Sequence, residues 1–127
     1  MREILFTGKR VDNGEWVGGF YVFVPEHYKP EMSRKSYIVS INNGLYFEVV
    51  PETVGQYTGT DDKYGDKIFE GSIVQYNIDE IGEILWDKPT ARFVIRGDVA
   101  GYDFNNFYGK ELVVIGNIHD NPELLEV

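Results

Sequence analysis

Pro51-Glu52-Thr53-Val54-Gly55-Gln56-Tyr57-Thr58-Gly59-Thr60-Asp61-Asp62-Lys63-Tyr64-Gly65-Asp66-Lys67-Ile68-Phe69-Glu70-Gly71-Ser72-Ile73-Val74-Gln75-Tyr76 decides how this chain folds, with Ile81-Gly82-Glu83-Ile84-Leu85-Trp86 close behind it. Its apolar runs are short, and glycine and aspartate turns join them. No 3.6-residue spacing appears, so these runs read as strands of an antiparallel sheet curling on itself. Gly65, in the polar turn 61–67, is the natural place for a left-handed backbone conformation. Pro51-Glu52-Thr53 reads as one helical turn leading into the first strand.

Upstream, Asp12-Asn13-Gly14-Glu15 and Asn42-Asn43-Gly44 each carry the Asn-Gly pair that favours a type I′ hairpin turn. They predict two N-terminal hairpins. In the first, the return strand runs from Trp16 to Val24. In the second, residues 36–41 pair with residues 45–50. Trp16-to-Val24 is apolar on both of its faces (Phe20, Val22 and Val24 against Tyr21 and Phe23), which predicts cover on both sides. Gly18-Gly19 suggests a bulge or a close backbone approach. Residues 25–36, with two prolines and no period, read as a loop holding at most one helical turn.

Downstream, Phe93-Val94-Ile95 reads as a short strand and residues 97–110 as a long turn rich in Gly, Asn and Tyr. Residues 111–115 include four adjacent aliphatics, which predicts a central, buried strand. Asn121-Pro122-Glu123 carries three helix-start features, an Asn N-cap, Pro at the first position and an acid after it. The expected helix is one or two turns.

The 127 residues suit one cooperative unit, divided by this reading into an N-terminal hairpin subdomain at 1–50 and a core at 51–127. A 43% hydrophobic content supports a real core, and no Cys is present for a disulfide or thiolate metal site. Cysteine absence fits a reducing compartment. The N-terminus has only a three-residue apolar run, which is no signal peptide, and no run approaches the ~20 residues that span a bilayer. Neither a membrane nor a cofactor is expected.

The net charge of −9 is unevenly placed. Residues 1–50 hold six acids and six bases, whereas residues 51–127 hold fifteen acids and six bases. An acidic body repels phosphates, so nucleic acid is not the expected partner, although Arg92 and Arg96 offer a local basic patch. The acid excess itself reads first as solubility, with a docking surface for a basic partner as the alternative.

The Gly71-Ser72-Ile73-Val74 strand start, followed by Ile81 to Trp86, resembles the strand pair that opens many SH3-like barrels. The expected fold is therefore mainly β: a small SH3-like β-barrel over about 51–127, N-terminal β-hairpins, and a short C-terminal helical turn. Four blocks together carry a family resemblance: Gly8-Lys9-Arg10-Val11 to Gly14-Glu15-Trp16-Val17, Pro51 to Gly59, Asp66-Lys67-Ile68-Phe69-Glu70-Gly71, and Val114-Ile115-Gly116-Asn117-Ile118-His119-Asp120-Asn121-Pro122. Their order and spacing resemble the YopX-like family of phage and prophage proteins. That resemblance implies a phage or prophage origin, a mostly β fold and a bacterial host cytoplasm. It transfers no activity and no catalytic residue. Where the family's block continues with Asp after the glycine, this chain has Ser72, which argues against catalysis at that position.

Candidate chemistry is thin. Laid on a calcium loop, Asp61 falls first, Lys63 third and Gly65 fifth; Asp66 then falls where glycine is required and Ser72 where a bidentate Glu is required. A hairpin turn is the better reading. No Gly-Lys-Ser/Thr phosphate loop exists. His119 beside Asp120 does not make a relay, because strand neighbours point to opposite faces and a catalytic base also needs a nucleophile in reach. Two His without Cys leave zinc a weak option. Asp98 and Asp103 are the carboxylates that acid–base work would have to use. Around them, Tyr102, Phe104, Phe107 and Tyr108 in the 97–110 loop fold back as a lid on the core, form a partner contact, or, against their acidic neighbours, stack single-stranded nucleic acid. Trp16 and Trp86 read as core or barrel-edge residues, with an exposed binding platform as the alternative. The expected function is a non-enzymatic, homo-oligomeric interaction or structural module. A nucleic-acid-associated small barrel is the alternative, and a hydrolase using the loop acids is a third reading.

Overall fold

The Asn-Gly turns form, but each in a longer loop than a two-residue hairpin. In the computed structural model, which describes residues 2–76, 79–97, 101–104 and 111–126, only Gly14 (φ +74°) and Gly44 (φ +72°) of these turns have positive φ. A type I′ turn needs positive φ at two residues. Each Asn is instead held by its own side chain. Asn13 Oδ1 accepts the Glu15 N–H at 2.9 Å and Asn43 Oδ1 accepts the Leu45 N–H at 3.0 Å. The loops close alike, through Glu15 O to Arg10 N (2.8 Å) and Leu45 O to Ser40 N (2.7 Å).

The chain divides into two compact units, residues 1–56 and 57–127. In the first, β1 (Phe6–Lys9) pairs antiparallel with β2 (Trp16–Val24), β2 with β3 (Lys35–Ser40), and β3 with β4 (Tyr46–Val49). The other edge of β1 takes the start of β5 (Gly55–Asp61), with Phe6 opposite Gln56. The chain leaving β1 also meets β4 through an Arg10–Val49 bridge and a bond from Val11 N to Glu48 O at 3.0 Å. That approach needs Gly8, whose absent Cβ would lie 3.0 Å from Val49 Cβ.

Gly19 marks the closer contact. A Cβ there would stand 1.9 Å from the Val39 carbonyl oxygen, so it makes the close backbone approach expected at Gly18-Gly19. Ahead of β5, a 3-10 turn at Pro51–Thr53 is locked by Thr53, whose Oγ1 accepts Lys9 N–H at 2.9 Å and donates to Val50 O at 2.6 Å.

In the second unit, residues 57–61 of β5 pair with β6 (Lys67–Phe69) across an irregularity. Beside them runs an antiparallel sheet in the order β10-β9-β8-β7-β11. Its strands are β7 (Ser72–Tyr76), β8 (Glu80–Asp87), β9 (Arg92–Gly97), β10 (Gly101–Asp103) and β11 (Val113–Asn117). Its core is Ile68, Val74, Tyr76, Ile84, Ile95 and Leu112, with Phe93, Phe104 and Val114 against it. The fold is thus mainly β, in antiparallel sheets, and among the described residues the helical segments are 3-10 turns. Among the described residues β10 and β11 do not pair, so this sheet is open where a closed barrel was expected.

Two strand readings need correction. The aliphatic run 112–115 is an edge strand, not a central one. Leu112 takes the buried slot, residues 113–117 are half-buried, and the pairing with β7 slips between Val114 and Gly116. The 97–110 turn contains a strand, β10, in which Tyr102 pairs with Ile95. At the C-terminus the helix is one 3-10 turn, Pro122–Leu125. Asn121 does not cap it through its side chain; Asn121 Oδ1 instead accepts the Asn117 N–H at 3.2 Å.

Candidate interaction surface

Strand alternation sorts β2, β3 and β4 into two faces. The registers set Phe20 opposite Val39, Val22 opposite Tyr37, Val24 opposite Lys35, Tyr37 opposite Glu48 and Val39 opposite Tyr46. Residues directly opposite share a face, so these side chains stand together. The other face carries Ser36, Ile38 and Val49, all nearly inaccessible, along with Tyr21 and Phe23, which are exposed.

The first face is open. Phe20 is 53% exposed, Val22 42% and Tyr46 62%. Between them lies a groove of about 250 Å³ lined by Val22, Val24, Met32, Tyr37, Val39 and Tyr46. Tyr37 is buried in its floor and meets Tyr46 edge-on at 5.7 Å between ring centres. Met32 comes from the 3-10 turn Pro30–Met32, so the aperiodic loop supplies one wall. The charged members of this face, Lys35 and Glu48, pair with each other at 3.5 Å. β2 is therefore not covered on both sides as its sequence suggested, since residues 20–23 are all exposed.

Of the residues proposed from sequence as partner contacts, the two that are described, Tyr102 and Phe104, belong to the second unit. Phe104 is half-buried against the core of the second unit, and its N–H donates to Phe93 O at 3.2 Å. Tyr102 lies in β10, while Phe107 and Tyr108 fall outside the described residues, as does Asp98. Asp103 pairs through its backbone with Val94.

The polar turn 61–66 is organised by Asp62, which is buried at 5% exposure. Its Oδ1 accepts N–H groups of Tyr64 and Asp66, and its Oδ2 accepts that of Val114, each at 2.9 Å. Burial pushes this carboxyl up, but the N–H groups of Val114, Asp66, Tyr64 and Gly65 together outweigh it and hold it below the usual carboxylate range. Backbone donors thus occupy the oxygens a cation would use. Tyr57 donates its hydroxyl to Asp61, and Lys67 Nζ lies 4.5 Å from the Tyr57 ring centre.

His27 Nδ1 accepts the Lys29 N–H at 3.0 Å and its ring stacks on Tyr28. The His119 N–H donates to Asn117 Oδ1 at 2.9 Å, within the turn that Asn117 and Asn121 organise. Among the described residues no three His, Asp or Glu side chains converge to hold a metal ion.

A second depression, about 350 Å³, lies in the second unit between Ile81, Glu83, Arg96, Leu124 and Leu125. Burial raises the Glu83 carboxyl against the pull of Arg96, and Glu70 adds to the rise. Among the described residues no helix is long and apolar enough to cross a membrane.

Among known proteins, the family model described as "YopX protein" matches residues 15–126 of this chain. The fold is similar to the crystal structure of protein EF1440 from Enterococcus faecalis, with a TM-score of 0.60 and 23% identity, over 99% of this chain and 100% of that one. At that identity the likeness is one of fold. No curated protein matches the chain.

Proposed function

This chain belongs to the YopX protein family, and we propose that it is a phage- or prophage-encoded interaction module of the host cytoplasm, working through protein contacts, in more than one copy, and without catalysis. One observation carries the reading. The β2–β4 face presents Phe20, Val22 and Tyr46 to solvent around an apolar groove. Contiguous apolar surface rimmed by polar groups marks contact sites, and aromatic side chains are favoured anchors in them. The non-catalytic part is supported by Asp62, the most enclosed acid of the polar turn, whose oxygens serve backbone donors.

The nucleic-acid alternative has less behind it. Arg92 Nε donates to Thr90 Oγ1 at 3.1 Å, and Arg96 stands across the strand pair from Glu83, which it stabilises as the anion. Size-exclusion chromatography with light scattering, followed by reconstitution with purified phage and host proteins, tests the proposal. Assembly with itself or with one defined protein is the expected result. A strict monomer that binds none of them sinks it.

A further inference from the structure

We infer that the β2–β4 face seats a second copy of this chain, face to face about a two-fold axis. The inference rests on the interaction reading above and commits it to one surface and one occupant. Shape is the first argument. A two-fold contact needs a patch that is complementary to itself. This face carries a knob, Phe20, beside a groove whose floor is Tyr37 and whose walls include Val22, Met32 and Tyr46. Phe20 stands opposite Val39, at the groove's margin, so knob and recess belong to one patch.

Charge is the second argument, and it selects the occupant. Residues 1–56 hold seven acids and six bases, for a net −1, whereas residues 57–127 hold fourteen acids and six bases, for a net −8. Two copies meeting through the second unit set like charge against like. Two copies meeting through the β2–β4 face do not, because Lys35 and Glu48 already neutralise each other there. A basic partner would be drawn to the acidic unit instead. The apolar, charge-balanced face suits a copy of itself.

Light scattering on the full chain, with Phe20→Glu and Val22→Glu as separate variants, tests this. Both positions are solvent-exposed in the single chain, so the variants are expected to keep the wild-type circular-dichroism spectrum. The wild type is expected to dimerise, and each variant to dimerise about thirtyfold more weakly or not at all, the loss typical of an interface anchor. Added salt should leave the dimer unchanged or tighten it, since it screens repulsion between two acidic bodies. As a measure independent of any variant, the methyl resonances of Val22, Met32 and Val39 should shift with protein concentration, while those of Ile73 and Ile84 stay fixed.

Dimers that persist in both variants, or that salt dissolves, overturn this assignment of surface while leaving the interaction reading standing. A monomeric wild type with concentration-independent methyl resonances also overturns it. The broader reading then falls only if reconstitution with purified proteins fails as well.

Discussion

Asp62 Oδ2 accepts the backbone N–H of Val114 at 2.9 Å, a bond between residues 52 positions apart. The same carboxylate holds the turn at Tyr64 and Asp66 through its other oxygen, and Lys63 N donates to Leu112 O at 2.9 Å beside it. One side chain therefore shapes the hairpin between β5 and β6 and pins the start of β11. Replacing it by Ala strands several buried N–H groups, each costing about 1–3 kcal/mol. Asp62→Ala is expected to lose about 2–4 kcal/mol in urea unfolding. Asp62→Asn should lose less, because one oxygen acceptor is kept.

The same bonds give stability an acid limb. The Asp62 carboxyl titrates lower in the folded chain than in the unfolded chain, so its contribution is fully present above the unfolded value of about 3.9. It is lost as pH falls through the lower, folded value. Unfolding free energy measured from neutral pH down to pH ~2 should fall less steeply in Asp62→Asn than in the wild type.

Adjacent glycines should respond very differently to one methyl group. At Gly19 a Cβ would stand 1.9 Å from Val39 O and 3.0 Å from Ile41 N, both backbone atoms that cannot rotate away. At Gly18 the nearest atom would be Phe6 O, at 3.8 Å. Gly19→Ala is expected to cost about 3 kcal/mol or more, since the β2–β3 pairing must shift. Gly18→Ala should fall within about 1 kcal/mol of the wild type. Thermal melts of the two variants side by side check the contrast; equal losses would contradict this geometry.

Glu83 runs opposite to Asp62. Burial lifts its carboxyl above the usual range despite Arg96 opposite it. A raised folded value means that the anion is disfavoured on folding, so its penalty is present at neutral pH and relieved as pH falls through the raised value. Glu83→Gln should therefore melt slightly higher than the wild type at pH ~7, with the advantage shrinking in acid. A melting point lowered at neutral pH would show that the Arg96 attraction outweighs burial.

Strand positions and turns were legible because they depend on near neighbours. Ile73, Ile84 and Ile95 sit in short apolar runs bounded by turns, and Gly14 and Gly44 take the positive φ that Asn-Gly foretells. The turn type was missed because Asn13 and Asn43 bind their own loops, which leaves the left-handed conformation to glycine alone. Leu112 to Ile115 looked central because four aliphatics in a row usually mean cover on both faces. Only the pairing to β7 shows that the strand is an edge. Likewise, apolar residues on both sides of β2 indicated cover on both sides, whereas residues 20–23 are exposed on both. The groove's Met32 wall lies in a loop without period, and the reach of Asp62 to Val114 has no local mark at all.

The order in which strands are made carries a further consequence. β2, β3 and β4 each meet the strand made just before them, while β1 keeps one edge open until β5 is delivered. β7 must likewise keep one edge without its mate through the synthesis of β8, β9 and β10 until β11 is delivered. A nascent chain stalled in that interval exposes a strand rim of Ile73 and Val74, open to pairing with a neighbouring polypeptide.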